Sequence, residues 1–422
     1  MRFVHAADVH LDSPLRGLAR HDGAPVAQLR DATRGALRRL VDHCLEERVE
    51  LLLVAGDLYD GDWKDFATGL FFVGQMNRLR EVGTRVVILR GNHDAASQIT
   101  RSLRLPDHVR ELATNRVETM IFEDLGVAIH GRGFARREES DDLSEKYPAP
   151  LGGLLNVGML HTSADGRPGH ATYAPCRPSR LVERGYDYWA LGHVHAREVL
   201  HERPWVVFPG NLQGRHARET GPKGATLVSV EDTRIRAVES LELDVVRWEL
   251  VTLPVTEHDR LGDVLGKLSQ RFQRARDGAG DRPLVVRVRL EGAAHAALLR
   301  DLDDESFGAE VRGVVSEIAP AWIEKIELAL VPPSVTRTVS ERKDAIGALA
   351  RALGGGAERD PQVQKELAEA LSELRERLAP LGLESDDPRL RLEGEEALAA
   401  ILSDAERWLV PSLVHGDDGE PT

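Results

Sequence analysis

The stretch VELLLVAGDLYDGDW, residues 49–63, sets six apolar side chains in its first seven positions and then delivers two acids, Asp57 and Asp60, three residues apart. A short continuous apolar run bounded by glycine reads as a strand covered on both faces, the environment of a parallel strand in an α/β sheet. In open α/β folds, ligands bind beyond the carboxyl ends of such strands. A Gly-Asp pair by itself more often opens a turn. Other strands of the chain must therefore decide between the two readings.

They repeat the pattern. MRFVHAADVH ends on Asp8 and His10, and TRVVILRGNHD on Asn92, His93 and Asp94. LLNVGMLHTS ends at His161, and YDYWALGHVH at His193 and His195. Five predicted strands thus bring Asp, Asn and His to one rim.

At 422 residues the chain is long enough for a large core and two or three domains. No apolar stretch reaches the length of a membrane span, and the start lacks the basic, apolar and small-residue zones of a signal peptide. Cys44 and Cys176 are too few for a disulfide framework. The expected compartment is the cytoplasm, with no membrane contact. The net charge of −14 argues against a generally basic nucleic-acid binder. From residue 337 onward, however, 11 basic side chains face 19 acidic ones, so more than half of the excess sits in the last fifth. Upstream, HGRGFARR (130–137) and QGRHARETGPKG (213–224) are locally basic, and a nucleic-acid substrate is not excluded.

Between the first two strands, residues 25–49 place Val26, Leu29, Leu37, Leu40 and Val41 at roughly helical spacing. A second helix is predicted over about 64–82, before the strand at 84–90. This β-α-β-α-β order is that of a parallel sheet with helices on its faces. From about 117 strands dominate, in GVAIHGRGF, NVGMLH, DYWALGH, WVVFPG and ATLVSV. The expected fold is α/β, a two-sheet α/β sandwich over 1–248. LVTLPV, a helix at about 257–276, PLVVRVRLEG, a helix around 294–303 and WIEKIELAL predict a small α+β domain over 249–333. Pro332 and Pro333 break the chain. Beyond them, 334–422 reads as a helical C-terminal region with helices at 340–354, 361–380 and 393–408 and a disordered tail. Leu367, Leu371, Leu374 and Leu378 give it an apolar stripe that suits either its own domain or a partner.

Asp8, His10, Asp57, Asn92, His161, His193 and His195 together form an oxygen and imidazole donor set for two divalent ions that share Asp57. Such a mixture suits manganese, iron or zinc better than calcium, and no thiolate directs the site to soft metals. Manganese is the first choice. Two ions about 3.5–4 Å apart clamp the attacking and leaving oxygens of a phosphoryl group and generate hydroxide from water near neutral pH. The reaction expected is in-line hydrolysis of a phosphate ester.

DVH, GDLYD, GNHD, the lone His161 and GHVH, in this order, resemble the five motifs of the calcineurin-like metallophosphoesterases. The resemblance implies that Asp8, His10, Asp57 and His195 bind one metal, and Asp57, Asn92, His161 and His193 the other. It implies that His93 is a catalytic histidine outside the ligand set, and that Asp60 orients it. An oriented imidazole suits that role near pH 7.

Family membership alone leaves the substrate open. MRFVHAADVHLDSPLRGL, GDLYDGDW and FPGNLQGRHARETGPKG look like the bacterial DNA-repair exonuclease branch, the SbcD and, more closely, the YhaO types, over about residues 1–230. That likeness implies a DNA substrate, exonuclease or endonuclease action in DNA repair, a capping domain, helices that bind an SMC-like ATPase of the SbcC kind, and room for a homodimer. Residues 208–223 read as a substrate loop in which Arg215, His216, Arg218 and Lys223 contact phosphates. Trp63 and Phe66 could stack on a base, but a core role is favoured. Two other readings stand beside the nuclease: a small-molecule phosphodiesterase or phosphatase, and a non-catalytic DNA-end-binding scaffold subunit. The intact donor set and His93 argue against the scaffold.

Overall fold

The computed structural model describes residues 1–13, 31–60, 66–96, 103–166, 173–303, 305–318, 320–331 and 365. Strand β2 (Leu51–Ala55), the stretch quoted first, lies between β1 (Arg2–Ala6) and β3 (Arg85–Leu89), parallel to both. Its side chains alternate. Leu51, Leu53 and Ala55 pack with Val157, Met159, Tyr188 and Ala190 of a second sheet, whereas Leu52 and Val54 pack on the opposite face. That opposite face is covered by helices α1 (Ala32–Glu46) and α2 (Phe66–Leu79) through Leu37, Leu40, Val41 and Cys44 and through Phe72, Met76 and Leu79. Burial on both faces explains the uninterrupted apolar run, because neither alternate position of the strand meets water.

The first sheet continues through β4 (Val109–Glu111) on one side, and through β11 (Gly224–Glu231) and β12 (Arg234–Glu242) on the other. The second contains β5 (Glu118–Phe122), β6 (Val127–Gly131), β7 (Leu155–His161), β8 (Tyr188–Gly192), β10 (Trp205–Phe208) and β9 (Glu198–Glu202), in that spatial order. Both sheets are mixed. Parallel central strands are flanked by antiparallel ones, with only β4 forming a parallel edge. The outer face of the second sheet is closed by Phe134, Tyr147, Tyr186, Trp189 and Phe208 around the short helix α4 (Pro178–Glu183), which follows α3 (Asn92–Ala96) in the chain.

A smaller parallel sheet follows, made of β13 (Arg247–Val255), β14 (Leu284–Ala293) and β15 (Ala321–Val331) in chain order. Helix α5 (Leu261–Ala279) connects its first two strands. Helices α6 (Ala296–Asp303) and α7 (Glu305–Ser316) connect the last two. Val264, Leu268 and Phe272 are buried along one stripe of α5, as are Phe307, Val311 and Val315 along α7. Residue contacts divide the chain into two compact units. One holds Met1–Leu250, Ala275–Arg287 and Ala319–Glu324, and the other holds Val251–Arg274, Val288–Ile318 and the described residues from Lys325 onward.

Four strands that the sequence pattern does not single out, β4, β5, β9 and β12, are the four edges of the two large sheets. Edge strands carry charge and face water on one side, which removes the apolar signal that marks central strands. Helix α7 also went unmarked, its stretch ESFGAEVRGVVS being broken by two glycines and rich in valine. Phe66 differs from expectation: it is 60% exposed rather than part of the core. Trp63, Val26, Leu29 and the three helices expected beyond residue 333 lie outside the described residues, apart from a helical Lys365. Among the described residues, no helix is long and apolar enough to cross a membrane.

His5, fully buried on β1, ties the two sheets together. Its Nδ1 accepts the Tyr188 hydroxyl at 3.0 Å and its Nε2–H donates to the carbonyl of Leu191 at 3.0 Å. Both ring nitrogens are thus satisfied in the neutral form, and burial pushes the imidazole down to about 3 from 6.5. Its contribution to stability is complete above pH 6.5 and is lost as the pH falls toward 3, because the unfolded chain takes up the proton first. Denaturant titrations between pH 6.5 and 4 should show His5 costing about 1.4 kcal/mol of stability per pH unit. A His5→Gln variant should lack that component of the slope. An unchanged slope would exclude the buried neutral imidazole as its source.

Candidate metal centre

Every residue of the rim predicted from sequence sits at or just beyond the carboxyl end of β1, β2, β3, β7 or β8. The loops after β1 and β2 are zipped together by backbone. Asp8 N–H donates to Gly56 O at 3.0 Å, His10 N–H to Asp57 O at 3.0 Å, and Leu11 N–H to Leu58 O at 2.9 Å. Asp8, His10, Asp57 and His193 all have positive φ, at 50°, 44°, 52° and 102°. Non-glycine residues seldom occupy that region, and such strain collects at functional sites, where the surroundings hold it in place. Asp94 supplies part of that support: its carboxylate accepts the N–H groups of Leu58, Tyr59 and Gly91 at 3.2, 3.0 and 3.0 Å. Burial, and then the charge of Asp57, push Asp94 up to about 7.

The side chains meet in two clusters, Asp8, His10 and His195 in one, Asp57, His161 and His193 in the other. In the first, His10 Nε2 lies 3.2 Å from His195 Nε2, which is 3.8 Å from Asp8 Oδ1. The backbone N–H of His193 holds both Asp8 oxygens, at 3.1 and 3.0 Å. In the second, His161 Nε2 lies 3.5 Å from Asp57 Oδ2 and 3.0 Å from Asn92 Oδ1. The same Asp57 Oδ2 lies 3.9 Å from His10 Nε2. One carboxylate oxygen therefore faces an imidazole of each cluster.

The protons required by these contacts test the fit to metal. His161 donates Nδ1–H to the Ala55 carbonyl at 3.0 Å, so Nε2 is the nitrogen turned toward two oxygen acceptors, a place for either a second ring proton or a cation. His195 donates Nδ1–H to Glu219 Oε1 at 2.6 Å, which turns its Nε2 toward His10. Oxygen acceptors and imidazole nitrogens that converge in a buried site need a proton or a metal cation among them. His10 Nδ1 is itself buried without a hydrogen-bond partner among the described residues. The donors are imidazole and oxygen, and the two cysteines are buried in separate hydrophobic clusters. The residues of the two clusters fit two divalent ions.

The charged groups of the centre act on one another, and the proton held at His161 is the one a cation would displace. Burial alone would raise Asp57, but His161, His10 and His93 hold it well below the carboxylate range. For His161, burial works downward and the Asp57 carboxylate outweighs it, raising the imidazole to about 9. His10 is driven well below its usual value, by burial first and then by Arg215. Asp8 is raised by burial.

His10, Asp60 and His93 also lie close enough to form a third group. There the pair already satisfies itself: His93 Nδ1–H bonds Asp60 Oδ1 at 2.8 Å, and Ser13 Oγ donates to Asp60 Oδ2 at 2.6 Å. Burial would lower His93, but the Asp60 bond and the charges of Asp57 and Asp60 raise it on balance. Asp60 is held well below its usual range, the His93 bond overcoming burial. The His93 side chain is 29% exposed, against 1% for His10 and 0% for His161. His93 is thus more exposed than these ligand candidates and than His195, at 18%.

The four residues read as phosphate contacts occupy different surroundings. His216 and Arg218 are exposed. Arg215 is engaged with Glu219, Nη2 to Oε1 at 3.1 Å, and Lys223 is buried with Nζ donating to His195 O at 2.8 Å. Glu219, unmarked by the sequence reading, binds His195. The signal available was that it is the one acid in an otherwise basic QGRHARETGPKG.

Gly91 makes room for the centre. A Cβ there would lie 2.2 Å from Asp57 Oδ1 and 2.8 Å from Asp57 N, so Gly91→Ala must displace the carboxylate. Displacements near 1 Å at a reacting centre cost about a hundredfold in rate. Gly91→Ala should lower catalytic turnover by at least about tenfold and weaken metal binding. Gly74→Ala, where a Cβ meets open space, should change neither. Wild-type kinetics in Gly91→Ala would contradict the close fit.

The comparisons with known proteins agree with this geometry. The family model for calcineurin-like phosphoesterase matches residues 1–197, and that for the middle domain of metallophosphoesterase YhaO matches 248–331. The uncharacterised metallophosphoesterase YhaO of Bacillus subtilis is 34% identical over 303 residues, 71% of this chain and 74% of that one. The DNA double-strand break repair protein Mre11 of Methanopyrus kandleri is 28% identical over 365 residues, covering 75% and 76% of the two chains. Its counterpart from Sulfurisphaera tokodaii is 21% identical over 307 residues, covering 67% and 72%. With two His/Asp clusters at the ends of its strands and these relatives across most of its length, the chain belongs to the calcineurin-like metallophosphoesterases.

Proposed function

We propose that this metal-dependent phosphoesterase hydrolyses the phosphodiester bonds of DNA, with two ions, manganese by first choice, held by Asp8, His10, Asp57, Asn92, His161, His193 and His195. The observation that carries the reading is Asp57 Oδ2, 3.5 Å from His161 and 3.9 Å from His10, a bridging position between two donor sets. When bound, the ions neutralise the phosphoryl group and lower the pKa of water.

The protein's own groups supply the rest. The His193 N–H pair of bonds fixes Asp8, the His93 N–H fixes Asp57 Oδ1 at 2.9 Å, and both carboxylates are thereby aimed before substrate arrives. With Nδ1 bound to Asp60, His93 has Nε2 available to hold a proton for the leaving oxygen. Exposed Arg136, Arg137 and Arg218, on loops beyond the strand ends, offer positive charge to a polyanion. DNA is favoured over a small diester because the Mre11 relatives, named for double-strand break repair, align across about two thirds to three quarters of this chain.

The same likeness supports a modular reading. Residues 249–333 serve as a capping domain, and 334–422 as the region that engages an SMC-like ATPase. The test is manganese-dependent cleavage of end-labelled single- and double-stranded DNA, with a cyclic nucleotide as competing substrate. Cleavage of DNA with little turnover of the cyclic nucleotide is expected. Turnover of the small diester alone, with or without the ATPase, would replace the nuclease reading by a small-molecule phosphodiesterase.

A further inference from the structure

We propose that Glu219, braced by Arg215, is the positioning residue that turns His195 toward one metal ion and sets the affinity of that site. The inference rests on the ligand assignment above.

An imidazole can present either nitrogen to a metal, and the group bound to the other one decides which. His195 Nδ1 lies 2.6 Å from Glu219 Oε1, so its proton is committed to the carboxylate. Nε2 is the nitrogen left to face His10 Nε2 at 3.2 Å and Asp8 Oδ1 at 3.8 Å. Glu219 is only 6% exposed, and a carboxylate so placed needs partners on every side. It has them: Asn211 Nδ2 donates to Oε2 at 2.9 Å, the Arg215 backbone N–H to Oε2 at 2.8 Å, and Arg215 Nη2 to Oε1 at 3.1 Å.

The backbone of His195 is pinned separately, by Lys223 Nζ on its carbonyl at 2.8 Å. Glu219 therefore governs the rotation of the ring rather than the path of the chain. Arg215 extends the connection. Its Nη1 donates to Ser13 Oγ at 3.3 Å, and Ser13 donates to Asp60 Oδ2 at 2.6 Å, the carboxylate that holds His93. One guanidinium thus joins the group that orients a metal ligand to the group that orients the acid. A carboxylate behind a ligating histidine raises its basicity and fixes its tautomer, and removing such a partner costs about 10- to 100-fold in metal affinity.

The test is calorimetric titration of manganese into the chelator-stripped full chain. Wild type should bind two ions. Glu219→Gln keeps the shape and removes the charge. Its affinity for one ion should fall about 10- to 100-fold while the other ion binds as before. Wild-type affinity at both sites would overturn the proposal, as would equal loss at both together with a lowered Tm, the mark of a purely structural role. If Glu219→Gln does not fold, Glu219→Asp carries the test, with a smaller loss confined to one site expected and no loss overturning the idea. His195→Ala separates the two levels. Loss of one ion there but none in the Glu219 variants would sink the positioning role alone. Two ions retained in His195→Ala would remove the ligand assignment, and the positioning role with it.

Discussion

Replacing His93 by alanine should lower kcat by roughly a hundredfold or more, the scale of a general acid, while both metal ions bind as in wild type. The separation follows from which part of His93 does what. Its backbone N–H holds Asp57 Oδ1 at 2.9 Å, and the substitution leaves that bond in place. Only the imidazole is lost, and its hydrogen bond is to Asp60 rather than to a proposed ligand side chain. Asp60 keeps its bond from Ser13 at 2.6 Å, so the truncation does not strand a buried carboxylate. Hydrolysis of bis-p-nitrophenyl phosphate beside a manganese titration provides both readouts. Full activity in His93→Ala would remove its role, and loss of metal would move it into the ligand set.

Asp57→Ala should lose both ions together and reduce turnover to background. Asp57 faces an imidazole of each cluster through Oδ2, while Oδ1 is fixed by backbone. Asp57→Asn should fail similarly, since the amide removes the charge and can place an oxygen at only one of the two positions. The expectation is sharper than for a ligand that serves one site: His161→Ala should spare the ion at Asp8 and His10. Metal analysis of the purified variants decides, and wild-type metal content in Asp57→Ala would rule out the bridge.

Much of this was legible in the residues because burial writes itself into sequence. β2 reads as a covered strand since Leu51 and Leu53 face one core and Leu52 and Val54 another. Asp8, Asp57, Asn92 and His161 stand out because each ends an apolar run. The edge strands were not legible, having one face in water and charges along it. Nor was Glu219, whose partner His195 is 24 residues away and whose own neighbours suggested a basic loop. Local charge shows composition but not pairing: Arg215 and Lys223 looked like free cations, and the fold gives them Glu219 and the His195 carbonyl. Gly91 was quoted within GNHD, yet its reason is spatial, a contact with a carboxylate from the neighbouring strand's loop.

The most direct measurement is anomalous scattering from a manganese-soaked crystal of the full chain. Two peaks about 3.5–4 Å apart should appear on either side of Asp57 Oδ2. One would be ringed by Asp8, His10 and His195, and the other by Asn92, His161 and His193. A single peak, or a peak between Asp60 and His93, would contradict the shared carboxylate on which the proposed chemistry depends.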